Sequence, residues 1–129
     1  MTTNIDWLRG CATALVTPFT TTGAVDEAAL RRLIEHQIAG GVKLLVPCGT
    51  TGESATMTEA EDQQVIKLTI ETAKGRARVI AGTGSNSTAA AIEYSQQARA
   101  LGLAVTKMAE HAAVNAHAIA FGEVLTLKL

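Results

Sequence analysis

Three times within its first hundred residues the chain runs through the same steps. A short apolar stretch ends, a loop rich in Gly, Thr or Ser follows, and a helical pattern begins. GCATALVT at 10–17 is broken by Pro18, and the loop FTTTGAV leads to a helix opened by Asp26. VKLLVP at 42–47 runs into CGTTGES at 48–54 and then into a second helix. RVIA at 78–81 ends in GTGSN, and a third helix follows over roughly 88–101. Strand, loop and helix in regular succession mean parallel strands joined by right-handed crossovers. Two α/β layouts satisfy that order: an open doubly wound sheet, or part of a (β/α)8 barrel. In both, the loops that follow the strands form the functional end. A complete barrel needs about 250 residues; the chain has 129.

The helices are well punctuated. Asp26 is a good N-cap residue and Glu27 suits the first turn. Leu30, Leu33, Ile34 and Ile38 form one apolar stripe, and Gly40-Gly41 ends it. Thr58 followed by Glu61 is a capping box, with Val65, Leu68 and Ile70 as apolar positions and Gly75 as the stop. Asn86 or Ser87 caps the third helix, which places Ala91, Tyr94, Ala98 and Leu101 on one face. Gly102 closes it, and a fourth strand begins at Leu103. The second strand is nearly all apolar, as a strand covered on both faces should be. Beyond residue 105 the regularity fails. TKMAEHAAVNAHAIAF reads as a helix with Met108, Ala112 and Ile119 only loosely aligned, and GEVLTLKL as a short strand. The expected organisation is three to four βα units over 1–105, in either layout, and a divergent tail over 106–129.

Composition narrows the partners. Apolar residues make up 47% and charged ones 18%, an ordinary globular balance for one domain. A net charge of −1 with no basic run gives no electrostatic support for nucleic acid or a membrane surface. No apolar stretch approaches the ~18 residues a membrane helix needs. The N-terminus carries Asp6 and no apolar core, unlike a signal peptide. Cys11 and Cys48 both lie in strand-like contexts and read as reduced, buried thiols of a cytoplasmic protein. His111 and His117 are six apart, not at the i, i+4 spacing of helical metal ligands; with His36 they read as surface histidines, and no metal site is expected.

CGTTGES carries the most chemistry. Gly49 and Gly52 permit positive φ and close backbone approach to a ligand. Successive N–H groups in such a turn converge on an anion, and Thr50 and Thr51 add hydroxyl donors. The expectation is a site for a small carboxylate or phosphate. The GxxxxGK[ST] pattern of a nucleotide loop is absent. The competing reading is a tight strand-to-helix turn whose polar residues only satisfy backbone groups. GTGSN at 82–86, taken alone, reads as a βα turn with an N-cap.

The stretch GTTGESATMTEAE resembles the signature of the dihydrodipicolinate synthase and N-acetylneuraminate lyase family of aldolases. ALVTPF at 14–19, VDEAALRRLIEHQIAGGV at 25–42 and VIAGTGSNSTAAAI at 79–92 resemble it in order and spacing, so the likeness covers about residues 5–105. The Thr-Thr-Gly-Glu-Ser form is nearer the synthase branch than the sialic acid lyases. The resemblance implies a (β/α)8 barrel, usually a homotetramer. It implies a lysine amine that forms a Schiff base with pyruvate or a similar 2-keto acid. The resulting enamine attacks an aldehyde, which in the synthase is aspartate semialdehyde on the way to diaminopimelate and lysine. No cofactor is implied. The threonines matched by Thr50 and Thr51 hold the pyruvate carboxylate, and the first belongs to a proton relay with two tyrosines. Lysine-inhibited members bind their effector with the residue matched by Asn86 and an acid four further on, where Ala90 stands here. Ser54 and Asn86 are the effector candidates, and Glu59 and Asp62 stand where some inhibited members carry histidines, so strong lysine feedback is not expected.

The resemblance also sets out what these residues do not contain. The relay tyrosine follows the fourth strand in a segment like VTPYY, where this chain has AVTKMAEH. The second tyrosine and the Schiff-base lysine belong to later strands, past residue 129, and the carboxylate-binding arginine is also absent. Tyr94 is the one tyrosine, inside a helix. Lys43 lies at the wrong end of a strand, and Lys67 and Lys74 lie on a helix. Lys107 and Lys128 occupy more plausible places, without the desolvating or cationic surroundings that lower a lysine pKa. A shifted reading frame, a truncated gene and a short paralogue all fit the tail. Three or four βα units leave sheet edges open, so self-association is expected. Two other functions stand beside the synthase: an inactive half-barrel that binds a keto acid or assists assembly, and a sialic acid or keto-deoxy-sugar lyase.

Overall fold

The computed structural model of the chain describes residues 9–101 and 104–105. Four short strands line up in chain order, β1 (Ala12–Ala14), β2 (Leu44–Val46), β3 (Arg78–Ala81) and β4 (Ala104–Val105), each parallel to the next. Between them run α1 (Glu27–Ala39), α2 (Glu59–Ala73) and α3 (Thr88–Ala100). This order separates the two layouts. A doubly wound sheet reverses its strand order at a switch point and carries helices on both faces. A barrel adds each strand beside the last and keeps its helices outside. The sequential order is that of the barrel.

The register places the core. Thr13 lies opposite Leu45, and Leu45 opposite Val79. Alternation along a strand puts Leu15 and Ala81 on that same face. There they join one buried cluster with Leu30 and Ile34 of α1 and Val65, Ile66 and Leu68 of α2. Full burial of a Leu or Ile contributes about 1.5–3 kcal/mol, and Leu30, Ile34 and Leu45 are completely buried. On the opposite face Ala14 sits across from Val46, and Ile80 across from Ala104. Ala14 is exposed and Val46 and Ile80 are half-buried. That is the side a closed barrel turns inward.

The punctuation holds at each helix. The Asp26 carboxylate accepts from the Ala29 N–H at 2.8 Å, and Thr58 and Glu61 form both halves of the capping box. Of the two cap candidates for α3, Ser87 does the work, its hydroxyl accepting from the Ala90 N–H. Among the described residues no helix is long and apolar enough to cross a membrane.

Several expectations change. The first two strands are shorter than 10–17 and 42–47, although the Leu15 N–H still reaches Val46 O at 3.0 Å. Cys11 is exposed rather than buried. It precedes the first residue of β1, which on its other side pairs with no described strand. Leu101 lies past the end of α3 and is 46% exposed. Ile70 packs on the core only partly, while Thr69 and Thr72 are buried, their hydroxyls turned back onto Val65 O and Leu68 O at 2.7 Å. An i−4 hydrogen bond of this kind lets a hydroxyl sit on an apolar helix face. The tail expectations lie outside the described residues, Lys107, His111, His117 and Lys128 among them; Leu103 does too.

Candidate functional site

Pro47 and Cys48 carry the chain out of β2 into two single-turn 3₁₀ segments, Thr50–Gly52 and Ser54–Thr56. The Gly52 N–H donates to Gly49 O at 3.0 Å and the Glu53 N–H to Thr50 O at 3.1 Å. The first N–H groups of a helical turn have no acceptor within it, and here those belong to Thr50 and Thr51. Both threonines are exposed, and among the described residues nothing hydrogen-bonds their hydroxyls. Two N–H groups and two hydroxyls thus stand together at the end of a strand, a donor set able to take a small anion.

Neither glycine supplies the left-handed backbone expected of it. Positive φ falls on Cys48 (57°) and Glu53 (61°), which flank the turn. A 3₁₀ segment is right-handed, so its own residues keep negative φ, and the reversals move to its edges. The second glycine provides room instead. A Cβ on Gly52 would lie 3.1 Å from Leu15 O and 3.4 Å from Thr17 Oγ1, whereas Gly49 has open space around it.

The turn is held from both neighbouring strands. On the β1 side the buried Thr17 hydroxyl donates to Gly52 O at 2.7 Å. On the β3 side the Gly82 N–H donates to Pro47 O at 2.9 Å. A Cβ on Gly82 would overlap the Cys48 carbonyl and come within 2.8 Å of Gly49 N. Below the turn, Ser54 Oγ donates to Asp62 Oδ2 at 3.0 Å, while Asp62 Oδ1 is buried with no partner among the described residues. Burial raises the Asp62 carboxyl pKa, and the Ser54 hydrogen bond only partly offsets it. Beside it the Cys48 thiol donates to Asp62 O at 3.5 Å. Burial, reinforced by the Asp62 charge, drives this thiol's pKa up, so it stays protonated and unreactive, as a structural thiol should.

Other candidates are not gathered here. Asn86 is exposed in the loop before α3, and among the described residues no hydrogen bond joins it to Ser54. Glu59 instead accepts from Gln97 Nε2 at 2.6 Å and Gln63 Nε2 at 3.1 Å, tying α2 to α3. Tyr94 lines the shallow crevice between those helices. Lys43 lies exposed at the start of β2, the opposite end of the sheet, and Lys67 and Lys74 are exposed on and after α2. Among the described residues no three His, Cys, Asp or Glu side chains form a metal-binding group. Thr17, Gly82 and Asp62 were not singled out as parts of this site by pattern. Two signals bear on Thr17, its place before Pro18, where a strand must end, and its place within the family-like ALVTPF; Gly82 lies within the family-like VIAGTGSNSTAAAI but by itself reads as an ordinary turn glycine.

A sequence profile described as the dihydrodipicolinate synthetase family matches residues 7–109. Among curated proteins, the 4-hydroxy-tetrahydrodipicolinate synthase of Sorangium cellulosum is 61% identical over 98 residues, covering 75% of this chain and 33% of that protein. Among solved structures, a chloride-inhibited dihydrodipicolinate synthase from Acinetobacter baumannii, complexed with pyruvate, superposes with TM-score 0.72 at 44% identity. It covers 74% of this chain, which spans 33% of it. The synthase from Cyanidioschyzon merolae with lysine bound gives TM-score 0.68 at 44% identity, over 71% of this chain and 32% of that one. The chain spans about a third of the length of the curated relatives it matches.

Proposed function

The chain belongs to the dihydrodipicolinate synthetase family, and on that footing we propose that its β2 loop is the carboxylate cradle of a 4-hydroxy-tetrahydrodipicolinate synthase site. The four strands are the first strands of that family's (β/α)8 barrel. Thr50 and Thr51 orient the carboxylate of pyruvate through their hydroxyl and N–H donors. One observation carries this reading: both threonines present exposed hydroxyls beside N–H groups that the turn leaves free. Fixed donors of this kind hold a keto acid for attack and balance its charge. A relative bound to pyruvate supports the same ligand.

In the reaction so assigned, a lysine amine adds to the pyruvate ketone and water leaves, giving the iminium. Loss of a methyl proton yields an enamine whose carbon attacks the aldehyde of aspartate semialdehyde. Thr50 belongs to the relay that moves those protons. The lysine is supplied by barrel strands other than the four described here.

Incubation with pyruvate and borohydride tests the division of labour. Pyruvate should bind the chain measurably by NMR titration, and Thr50→Val should weaken it about tenfold, the cost of a lost charge-assisted hydrogen bond. An unchanged affinity would remove the cradle. A reduced pyruvate adduct on a lysine of this chain would place the amine here after all, with Lys107 and Lys128 the first to examine.

A further inference from the structure

We propose that Thr17 is a positioning residue for the Thr50–Thr51 turn, holding it against a stop formed by Gly82. The inference rests on the cradle reading but concerns a different strand. Thr17 lies three residues past the end of β1, 35 positions before the carbonyl it binds. Thr17 is only 5% exposed, so bulk solvent has little access to this hydrogen bond. The carbonyl it engages belongs to Gly52, the last residue of the 3₁₀ turn whose first residues are Thr50 and Thr51. The bond is short, 2.7 Å, and Gly52 has no side chain to keep Thr17 away.

The opposite side of the loop is fixed by contact rather than by a side chain. Gly82 sits against the backbone of Cys48 and Gly49, and its N–H ties Pro47 to β3. The loop is therefore wedged between two strand ends, pulled toward β1 by one hydroxyl and blocked on the β3 side by backbone. Cys48 and Glu53 are left-handed without being glycine. Such residues persist only where their surroundings over-determine them, and Thr17 and Gly82 supply that constraint. Without the Thr17 bond the turn loses its distance from β1, and its two internal hydrogen bonds, Gly52 N–H to Gly49 O and Glu53 N–H to Thr50 O, open more often.

The test compares Thr17→Val with Thr17→Ser and with Thr69→Val in the full chain. Val keeps the shape of Thr17 and removes the donor; Ser restores it. Thr69 is also fully buried with its hydroxyl bonded at 2.7 Å, but within α2, far along the chain from the loop. Thr69→Val therefore reports general destabilisation. The expected result is a rise of about tenfold in amide exchange at Gly52 and Glu53 in Thr17→Val, beyond any change in Thr69→Val, with recovery in Thr17→Ser. The pyruvate dissociation constant should rise about tenfold in parallel. Loop exchange no faster than in Thr69→Val overturns the proposal, as does altered exchange with unchanged pyruvate affinity. Absence of pyruvate binding to the unsubstituted chain would count against the cradle, and the exchange comparison would still decide whether Thr17 positions the turn.

Discussion

The two ends of the sheet reverse the chain by different means. At the end where the strands begin, positive φ falls mainly on glycine: Gly41 at 89° after α1 and Gly75 at 74° after α2, with Lys74 at 47° beside it. That end is also stapled. Arg76 donates to both Glu35 carboxylate oxygens at 2.6 and 2.9 Å and to Thr72 O and Ala73 O at the close of α2. At the end where the strands finish, Gly23 is positive at 87° in the loop after β1, but in the loop after β2 positive φ falls on Cys48 and Glu53 and on neither glycine. A turn that only reverses direction can use the residue that reverses most easily. On the proposed reading, the loop after β2 also presents hydroxyls, so its positions go to threonines and neighbouring strands hold it. In barrels the first end serves stability and the second carries the site.

The largest expected effect tests the holding directly. Gly82→Ala places a methyl group on backbone that cannot rotate away, so either β3 or the loop must move. We expect a loss of about 3 kcal/mol, read from denaturant unfolding, together with loss of pyruvate binding. A loss below about 1 kcal/mol would mean that the loop gives easily and that the two ends differ less than the backbone angles suggest.

A smaller effect compares the turns themselves. Gly75→Ala should destabilise by about 1 kcal/mol, because its native φ is one that alanine adopts with strain. Glu53→Gly should do the reverse, gaining about 0.5 kcal/mol from a residue that accepts left-handed backbone freely. Both are measured by chemical unfolding. If Glu53→Gly destabilises, the left-handed position beside the turn is not strained, and the contrast between the ends rests on Cys48 alone.

Much of this contrast was legible in the sequence. The strand–loop–helix rhythm predicts parallel strands, and the Asp26 and Thr58 caps fall where the pattern puts them, because caps and apolar stripes are local signals. Which α/β layout was not legible from rhythm alone: the sequential strand order follows from pairing between segments some thirty residues apart. The threonines of the loop stand out as donors because they cluster. Thr17 does not, because its role depends on a carbonyl far along the chain. Gly82 reads like any turn glycine, because close packing between loops leaves no pattern in a single segment. Cys11 misleads for a related reason. Its neighbours look like a strand interior, but exposure is decided by where β1 begins and by which edge it occupies.

The smallest effect separates the ends by pH. The end where the strands begin carries one shifted carboxylate, Glu35, held low; the other end carries two, Glu61, held low by its Thr58 hydrogen bonds, and Asp62, which alone is shifted upward. The Arg76 hydrogen bonds hold the exposed Glu35 carboxyl below its ordinary 4.5; burial holds Asp62 above its ordinary 3.8. A lowered folded value means that stability is present above the unfolded value and is lost as pH falls through the folded one. A raised folded value in an acid means the opposite: the folded state binds the proton more tightly, so stability declines as pH climbs from 3.8 through the raised value. At neutral pH, then, Asp62 costs stability and Glu35 contributes it. Asp62→Asn, whose amide gives the buried Oδ1 position a group without charge, should raise the melting midpoint at pH 7, and the gain should shrink as pH falls through the raised folded value toward 3.8. Glu35→Gln should lower the midpoint slightly at pH 7, with a difference that also shrinks in acid. The two variants thus approach the unsubstituted chain from opposite sides. An Asp62→Asn midpoint that lies lower at pH 7 and stays lower in acid would show that the carboxylate is satisfied where it sits, and that the strand-end loop is as well compensated as the stapled end.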